Sequence, residues 1–139
     1  MPDTIWIEPG AALNPALPLS RSEATPLLSR LLSVLGLEGA SVEVRFVDDA
    51  EIARLNAEFL GLFGPTNVLS FPAEDAQRPD YLGELALSVD TLTREAALYG
   101  QEPREHLIRL LAHGLLHLAG YDHGQVMEEM TDMAVEALG

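Results

Sequence analysis

Three histidines within eleven residues constrain this chain more than any other feature of its sequence. They are His113, His117 and His123, in the segment HGLLHLAGYDH at residues 113–123. Because His113 and His117 are four residues apart, a helix would place them on one face, one turn apart. Gly120 can adopt a positive φ angle, which would end that helix and let the chain return with His123. The segment therefore predicts a rigid helix that presents two imidazoles and a turn that brings back the third.

Three imidazoles that converge in this way are predicted to bind one divalent metal ion. A site with three protein ligands leaves a coordination position open, which is typical of catalytic rather than structural zinc sites. Because the chain has no cysteine, nitrogen and oxygen must supply the ligand atoms. Zinc is the expected ion, although three imidazoles also suit nickel and copper. A single histidine in an apolar helix is usually a buried structural residue, but the regular spacing of three favours the metal site.

The composition predicts a globular protein, with one domain over residues 1–139. Apolar residues make up 47% of the 139 residues, enough for a sizeable core. No apolar run is long enough to span a membrane, and the first residues do not resemble a signal peptide, so we expect a cytoplasmic protein with no membrane partner.

The charge is strongly acidic. The sequence has 22 Asp and Glu residues against eight Lys and Arg, which gives a formal charge of −14. Nucleic-acid binders usually carry the opposite charge, so the balance argues against a large nucleic-acid interface. It leaves room for a small local basic patch or a metal-assisted site, and the acidic surface could simply maintain solubility.

The hydrophobic pattern predicts four strands and five helices. We expect strands over residues 4–8, 40–47, 67–71 and 82–89, and helices over residues 20–36, 48–60, 90–99, 103–118 and 126–138. The fold class is α+β with α/β character: a single mixed sheet of about four strands packed with about five helices. The histidine helix is apolar nearly all round, so it is predicted to be central and buried.

Several local features of these helices are also predicted. Capping residues are expected at Ser20, Asp48 and Asp90, the first two as capping boxes. The inner face of the second helix should carry Ile52, Leu55 and Phe59. A stripe formed by Val126 and three methionines should place the last helix on the core; the methionines are Met127, Met130 and Met133.

The histidine spacing matches that of the metalloprotease motif His-Glu-x-x-His-x-x-Gly-x-x-His. The general-base glutamate of that motif is replaced by Gly114, which cannot transfer a proton. A base must therefore come from elsewhere, and Glu84 and Asp122 are the candidates. For Asp122 we favour a role in orienting a histidine or capping a helix.

The residues now described resemble the YbeY endoribonucleases, the bacterial rRNA maturation factors. The resemblance rests on HGLLHLAGYDH at 113–123 and extends to VDDAEIARLN at 47–56, PTNVLSFP at 65–72 and LGEL at 82–85. It covers most of the chain from about residue 40 onward.

The resemblance implies a metal-dependent hydrolase with the three histidines as ligands of one ion, typically Zn²⁺. It implies cleavage of single-stranded RNA, with metal-bound water attacking the phosphodiester. It further implies a part in maturing the 3′ end of 16S rRNA and in ribosome quality control. The expected partners are therefore the 16S rRNA precursor and the ribosome or its small-subunit proteins, with no DNA.

This chain departs from the family pattern at two positions. Leu60 stands where the family usually has an arginine held to be important for activity, and Asn67 replaces an aspartate. Our hypothesis is that the two lost groups form an ion pair in relatives. Arg54 could replace the missing cation, although a solvated helix residue is the simpler interpretation. Arg54 and Ser70 are the candidate substrate-binding residues.

Two alternatives to the nuclease remain open at this point. The ligand spacing alone would suit a metalloprotease-like hydrolase, against which Gly114 argues. Leu60 and Asn67 would suit a catalytically weakened, ribosome-associated protein that keeps its metal ion for structure.

Overall fold

The computed structural model describes residues 4–7, 21–74 and 76–139. Within them lie the strands β1 Thr4–Ile7, β2 Ser41–Val47, β3 Val68–Pro72 and β4 Tyr81–Ser88, and the helices α1 Arg21–Val34, α2 Asp49–Leu60, α3 Val89–Tyr99, α4 Pro103–Leu118 and α5 Gln125–Leu138. The predicted α+β class with a mixed sheet and five helices is confirmed. The predicted bounds agree to within two residues, while the predicted cap at Ser20 lies outside the described residues.

The four strands form one sheet in the order β1-β2-β4-β3. β1 pairs with β2, and β2 with β4, in parallel, as expected for strands joined through helices. β3 pairs with β4 in antiparallel fashion, which makes the sheet mixed. β3 therefore forms one edge of the sheet.

Alternate residues of β4 face the two sides of this sheet. Leu85 and Leu87 belong to the larger core, which also contains the buried residues of α1, α4 and α5. Ala86 belongs to a smaller core on the other side, with residues of α2 and β3. Since side chains alternate along a strand, Glu84 faces the α2 side together with Ala86.

Helix α4 is central, as predicted. Pro103 occupies its first turn, where the missing N–H costs no hydrogen bond. Ten of its residues are buried: His106, Leu107, Ile108, Leu110, Leu111, Ala112, Gly114, Leu115, Leu116 and Leu118. The helix packs against β3, β4, α3 and α5, so its position is fixed from several sides.

Of two predicted helix caps, Asp48 is confirmed and Asp90 is not. Asp48 caps α2 by accepting a hydrogen bond from the Glu51 N–H at 2.9 Å, as predicted. The prediction of Asp90 as the cap of α3 is wrong, because Ser88 is the N-cap and its Oγ accepts from the Thr91 N–H. Asp90 instead accepts from the Asp49 N–H, so its carboxylate links α3 to the start of α2.

Two predicted buried faces are only partly correct. Ile52 and Leu55 are buried, but Phe59 on the same face is 58% exposed, because the smaller core does not extend to the last turn of α2. On α5, Met127 is buried and Met130 is partly buried, whereas Val126 and Met133 are exposed. No helix among the described residues is long and apolar enough to cross a membrane.

Candidate metal centre

Two of the three histidines are held by the buried helix α4. His113 and His117 are partly exposed, on the one side of α4 that the core does not cover. Their rings lie edge to face, with centroids 4.8 Å apart. The positions of both imidazoles therefore follow from the packing of a helix that has little freedom to move.

The third histidine is brought back by the turn at the end of α4. Gly120 has a φ angle of 98°, which a residue with a side chain rarely adopts. The Gly120 N–H donates to the His117 carbonyl, and the Tyr121 N–H donates to the Leu116 carbonyl. This pair of hydrogen bonds is the Schellman motif, which reverses the chain after a helix. The predicted helix stop at Gly120 is confirmed.

The turn places His123 against both helix histidines. Its ring centroid is 5.0 Å from that of His113 and 4.6 Å from that of His117. One nitrogen from each of the three rings can be chosen so that all lie within 4.8 Å of one another. Ion-to-nitrogen distances in zinc sites are about 2.0–2.1 Å, so modest side-chain rotations bring such a group onto one ion. The three histidines could therefore hold a metal ion.

The environment favours the neutral form of His113. Burial lowers the pKa of His113, and the neighbouring His117 and His123 lower it further. A metal ion binds the neutral imidazole, so a lowered pKa removes competition from protons. His123 is exposed, so the group is open to solvent on its side. This donor set fits a divalent ion with a free coordination position.

Gly114 is a buried residue of α4 and has a packing role. A Cβ atom at this position would lie 2.8 Å from Cδ2 and 3.1 Å from Cδ1 of Leu85. Helix α4 therefore approaches β4 closely at Gly114, next to His113. A glutamate, as in the metalloprotease motif, would press against the buried side chain of Leu85.

Comparison with known proteins places the chain in a family. The family model described as endoribonuclease YbeY matches residues 19–137. This chain belongs to the YbeY family. A YbeY endoribonuclease of Oleidesulfovibrio alaskensis is 50% identical, with 86% of this chain and 83% of the relative covered. One of Nitratidesulfovibrio vulgaris is 48% identical, with 87% and 86% covered.

A solved structure supports the same fold. The solution structure of a protein from Thermotoga maritima has a TM-score of 0.69 and 27% sequence identity to this YbeY-family chain. The likeness covers 98% of this chain and 88% of the other.

The two candidate bases lie in different places. Glu84 faces the α2 side of the sheet and pairs with Arg45, at 3.4 Å between Oε1 and Nη1. The sheet therefore separates Glu84 from the three histidines. Asp122 precedes His123 and is exposed. It does not cap α5, whose N-cap is Gly124 without a side-chain hydrogen bond, so the capping alternative for Asp122 is wrong.

The two candidate substrate-binding residues differ in their position relative to the three histidines. Ser70, on β3, lies 3.5 Å from the Gly114 carbonyl through its Oγ and lines a groove together with His117. Arg54 lies on α2 and is engaged by two carboxylates, with Nε 2.8 Å from Glu51 and Nη1 2.6 Å from Glu58. The structure thus brings Ser70, and not Arg54, beside the histidines.

The two departures from the family pattern lie near the same strand. Leu60 is exposed and lines the groove that contains Ser70 and His117. Asn67 precedes β3, and its Nδ2 donates to Glu95 on α3 at 3.2 Å. Its Oδ1 accepts from the Val68 N–H. In this chain Asn67 therefore fixes the start of β3 to α3.

The groove itself was missed by sequence reasoning. Besides Leu60, Ser70 and His117, it is lined by Phe59, Val68, Leu69, Phe71 and Pro72. Phe59 was predicted to lie in the core, and β3 was treated only as a strand. The signal that could have revealed the groove is the run of large apolar residues at 59–63 around a glycine, since such a run is difficult to bury at a helix end.

Proposed function

We propose that this chain is a metal-dependent endoribonuclease that cleaves single-stranded RNA. Its proposed cellular role is maturation of the 16S rRNA 3′ end and ribosome quality control, in the cytoplasm and in contact with the ribosome. Membership of the YbeY family supports the activity. The observation that carries the proposal is the open group of three imidazoles beside a groove.

In this proposal His113, His117 and His123 hold one zinc ion. A bound divalent ion would supply positive charge for phosphoryl oxygens and lower the pKa of a water molecule. The buried helix holds two ligands in place, so little reorganisation is required when RNA binds. The exposed side of His123 leaves access for the phosphodiester.

The other residues of the site position the substrate. Within the part of the chain that the structure describes, the hydrogen bond from the Ser70 hydroxyl to the Gly114 carbonyl is long, at 3.5 Å, so the hydroxyl can rotate and donate to a phosphate oxygen. Asp122 is the acidic candidate for proton transfer, since the sheet keeps Glu84 on its other side. The packing of Gly114 against Leu85 argues against a metalloprotease, because that chemistry uses a glutamate there.

The test is cleavage of a labelled fragment that contains the 3′ end of 16S precursor rRNA. We expect cleavage at single-stranded positions, loss with a chelator, recovery on adding zinc, and no cleavage of a fully paired duplex. His117→Ala should lower both metal content and cleavage by more than about 100-fold. Cleavage that persists in chelator and in His117→Ala would overturn the metal-dependent mechanism.

The fourth histidine provides the matched control. His106 is buried and pairs with Glu95 at 2.9 Å, away from the three-histidine group. His106→Gln should therefore retain bound metal, measured by elemental analysis of folded protein. Equal metal loss in His106→Gln and His117→Ala would show that the three histidines are not the ligands. A protein that binds metal but leaves all RNA intact would support the ribosome-associated binding alternative.

A further inference from the structure

The groove beside the histidines joins the two sides of the sheet around its edge. It has a volume of about 530 Å³ and extends from His117 over β3 to Phe59 and Leu60 on α2. Volumes of this size are typical of small-molecule sites. A ligand group seated in it would lie next to the candidate metal ligand His117, so the groove and the metal centre can be occupied by one substrate.

Two aromatic rings line the α2 end of this groove. The rings of Phe59 and Phe71 pack edge to face, with centroids 5.3 Å apart and an interplanar angle of 66°. Phe71 holds the Phe59 ring in place, yet Phe59 remains 58% exposed. A flat apolar face is therefore available beside Leu60, where the family pattern has a cation.

The electrostatics of the groove do not favour a phosphate at this end. Neither lysine nor arginine is among the described residues that line it. The arginines of the adjoining cleft, Arg45 and Arg54, pair with Glu51, Glu58 and Glu84. The whole chain carries a formal charge of −14. A ligand that enters here must therefore gain its affinity from apolar contact.

We propose that the groove binds an unpaired nucleobase of the RNA substrate, stacked on Phe59. The proposal rests on the proposed nuclease function and assigns this chain a base subsite beside the scissile phosphate. Stacking on aromatic side chains is how many proteins hold single strands without reading their sequence. The bases of a duplex are already stacked on one another, so the subsite also selects single-stranded RNA.

A nucleobase suits the groove better than a second copy of this chain. Two copies with a charge of −14 each would repel one another, whereas a base is uncharged. The edge of β3 borders the groove, and backbone N–H and C=O groups on a sheet edge can bond the polar rim of a base. The apolar floor and the polar edge thus match a flat heteroaromatic ring.

Binding of a short fluorescent oligoadenylate, measured by anisotropy in the presence of chelator, tests the proposal without cleavage. Phe59→Ala should weaken binding about tenfold, which corresponds to about 1.4 kcal/mol. Phe59→Trp should retain binding, and base stacking should quench its new fluorescence. Phe63 is fully exposed and is not among the groove residues, so Phe63→Ala is the matched control and should bind as the unaltered chain does.

Two further probes identify what the groove recognises. An oligonucleotide of the same length with abasic sites should bind about tenfold more weakly than oligoadenylate. Binding of oligoadenylate should not weaken as the salt concentration rises, since few phosphates are neutralised and salt screens repulsion from the acidic surface. Equal affinity for the abasic probe, or equal loss in Phe59→Ala and Phe63→Ala, would overturn the base subsite.

Sedimentation of the same variants tests whether a second copy of this chain occupies the groove instead. A dimer that Phe59→Ala dissociates would overturn the proposal and assign the groove to self-association. The base subsite and the nuclease fail in different assays. Chelator-insensitive cleavage removes the proposed mechanism but leaves the binding result intact, whereas cleavage with unaltered binding in Phe59→Ala removes only the subsite.

Discussion

Helices α2 and α4 end in similar ways but have opposite surroundings. Each is followed by a glycine with positive φ, Gly61 at 66° and Gly120 at 98°, and each lies beside β3. Helix α4 packs against two strands and α5, and Gly114 near its end lies against Leu85 and Val68. The last turn of α2 leaves Phe59 and Leu60 exposed. The same chain thus places two histidines on a well-packed helix end and leaves an uncovered apolar surface at the other.

The largest effect is expected where α4 touches the sheet. Gly114→Glu would restore the metalloprotease sequence but force a charged side chain against buried Leu85. We expect the free energy of unfolding to fall by about 4 kcal/mol or more, because the change overpacks the core and buries an unpaired charge. Chemical denaturation measures this free energy of unfolding. Gly114→Ala should cost less, about 1–3 kcal/mol; a well-folded Gly114→Glu protein would contradict the close approach.

The next test compares one leucine from each helix directly. Leu115 is fully buried on α4, whereas Leu60 on α2 is more than half exposed. Leu115→Ala should cost about 2–5 kcal/mol because it leaves a cavity. Leu60→Ala should change the free energy of unfolding by less than about 0.5 kcal/mol. Similar losses in the two variants would show that the end of α2 is covered after all.

These two helices also show what the sequence could and could not predict. The central position of α4 followed from its apolar residues on nearly all sides, and the turn at Gly120 from one glycine. The exposure of Phe59 could not be predicted, because the apolar period of α2 continues beyond the strand residues that cover it. The cap at Ser88 was missed because serine and aspartate are about equally good capping residues, and the tertiary structure uses Asp90 to accept from the Asp49 N–H instead.

The candidate metal site could likewise be predicted only in part. The three histidines are local in sequence, and the structure brings their rings together. Glu84 could not be excluded from the sequence, because the face to which a strand residue points depends on the register of its sheet. The groove depends on the meeting of α2, β3 and α4, which no single motif specifies.

A smaller effect is expected at Asn67, which anchors β3 between the two helix ends. Asn67→Asp would restore the family residue but place a second carboxylate about 3 Å from Glu95, at the position of Nδ2. We expect the free energy of unfolding to fall by about 1 kcal/mol at pH 7. This effect should diminish in acid, because the carboxyl pair takes up a proton. Thermal unfolding at two pH values measures it. Asn67→Ala, which adds no charge, should show no such dependence on pH.

The smallest effect concerns the other end of α2. Arg54, and then Arg45, hold the pKa of Glu51 at about 2, against 4.5 for a free carboxyl, although burial opposes the shift. Because the folded-state pKa is the lower one, this stabilisation is complete above about pH 4.5 and is lost as the pH falls towards 2. Glu51→Gln should remove the loss of stability between about pH 4.5 and 2. At pH 7 it should lower the free energy of unfolding by about 1 kcal/mol or less. Parallel acid profiles for the two proteins would contradict the assignment.

All three histidines lie within residues 113–123, and this closeness limits how much a bound metal ion can stabilise the folded chain. A ligand stabilises a protein only to the extent that it binds the folded chain more tightly than the unfolded chain. An unfolded chain keeps these imidazoles close together, since only a short loop must close to gather them. Added zinc should therefore raise the melting temperature by less than its affinity for the native protein implies, and it should remain partly bound after unfolding.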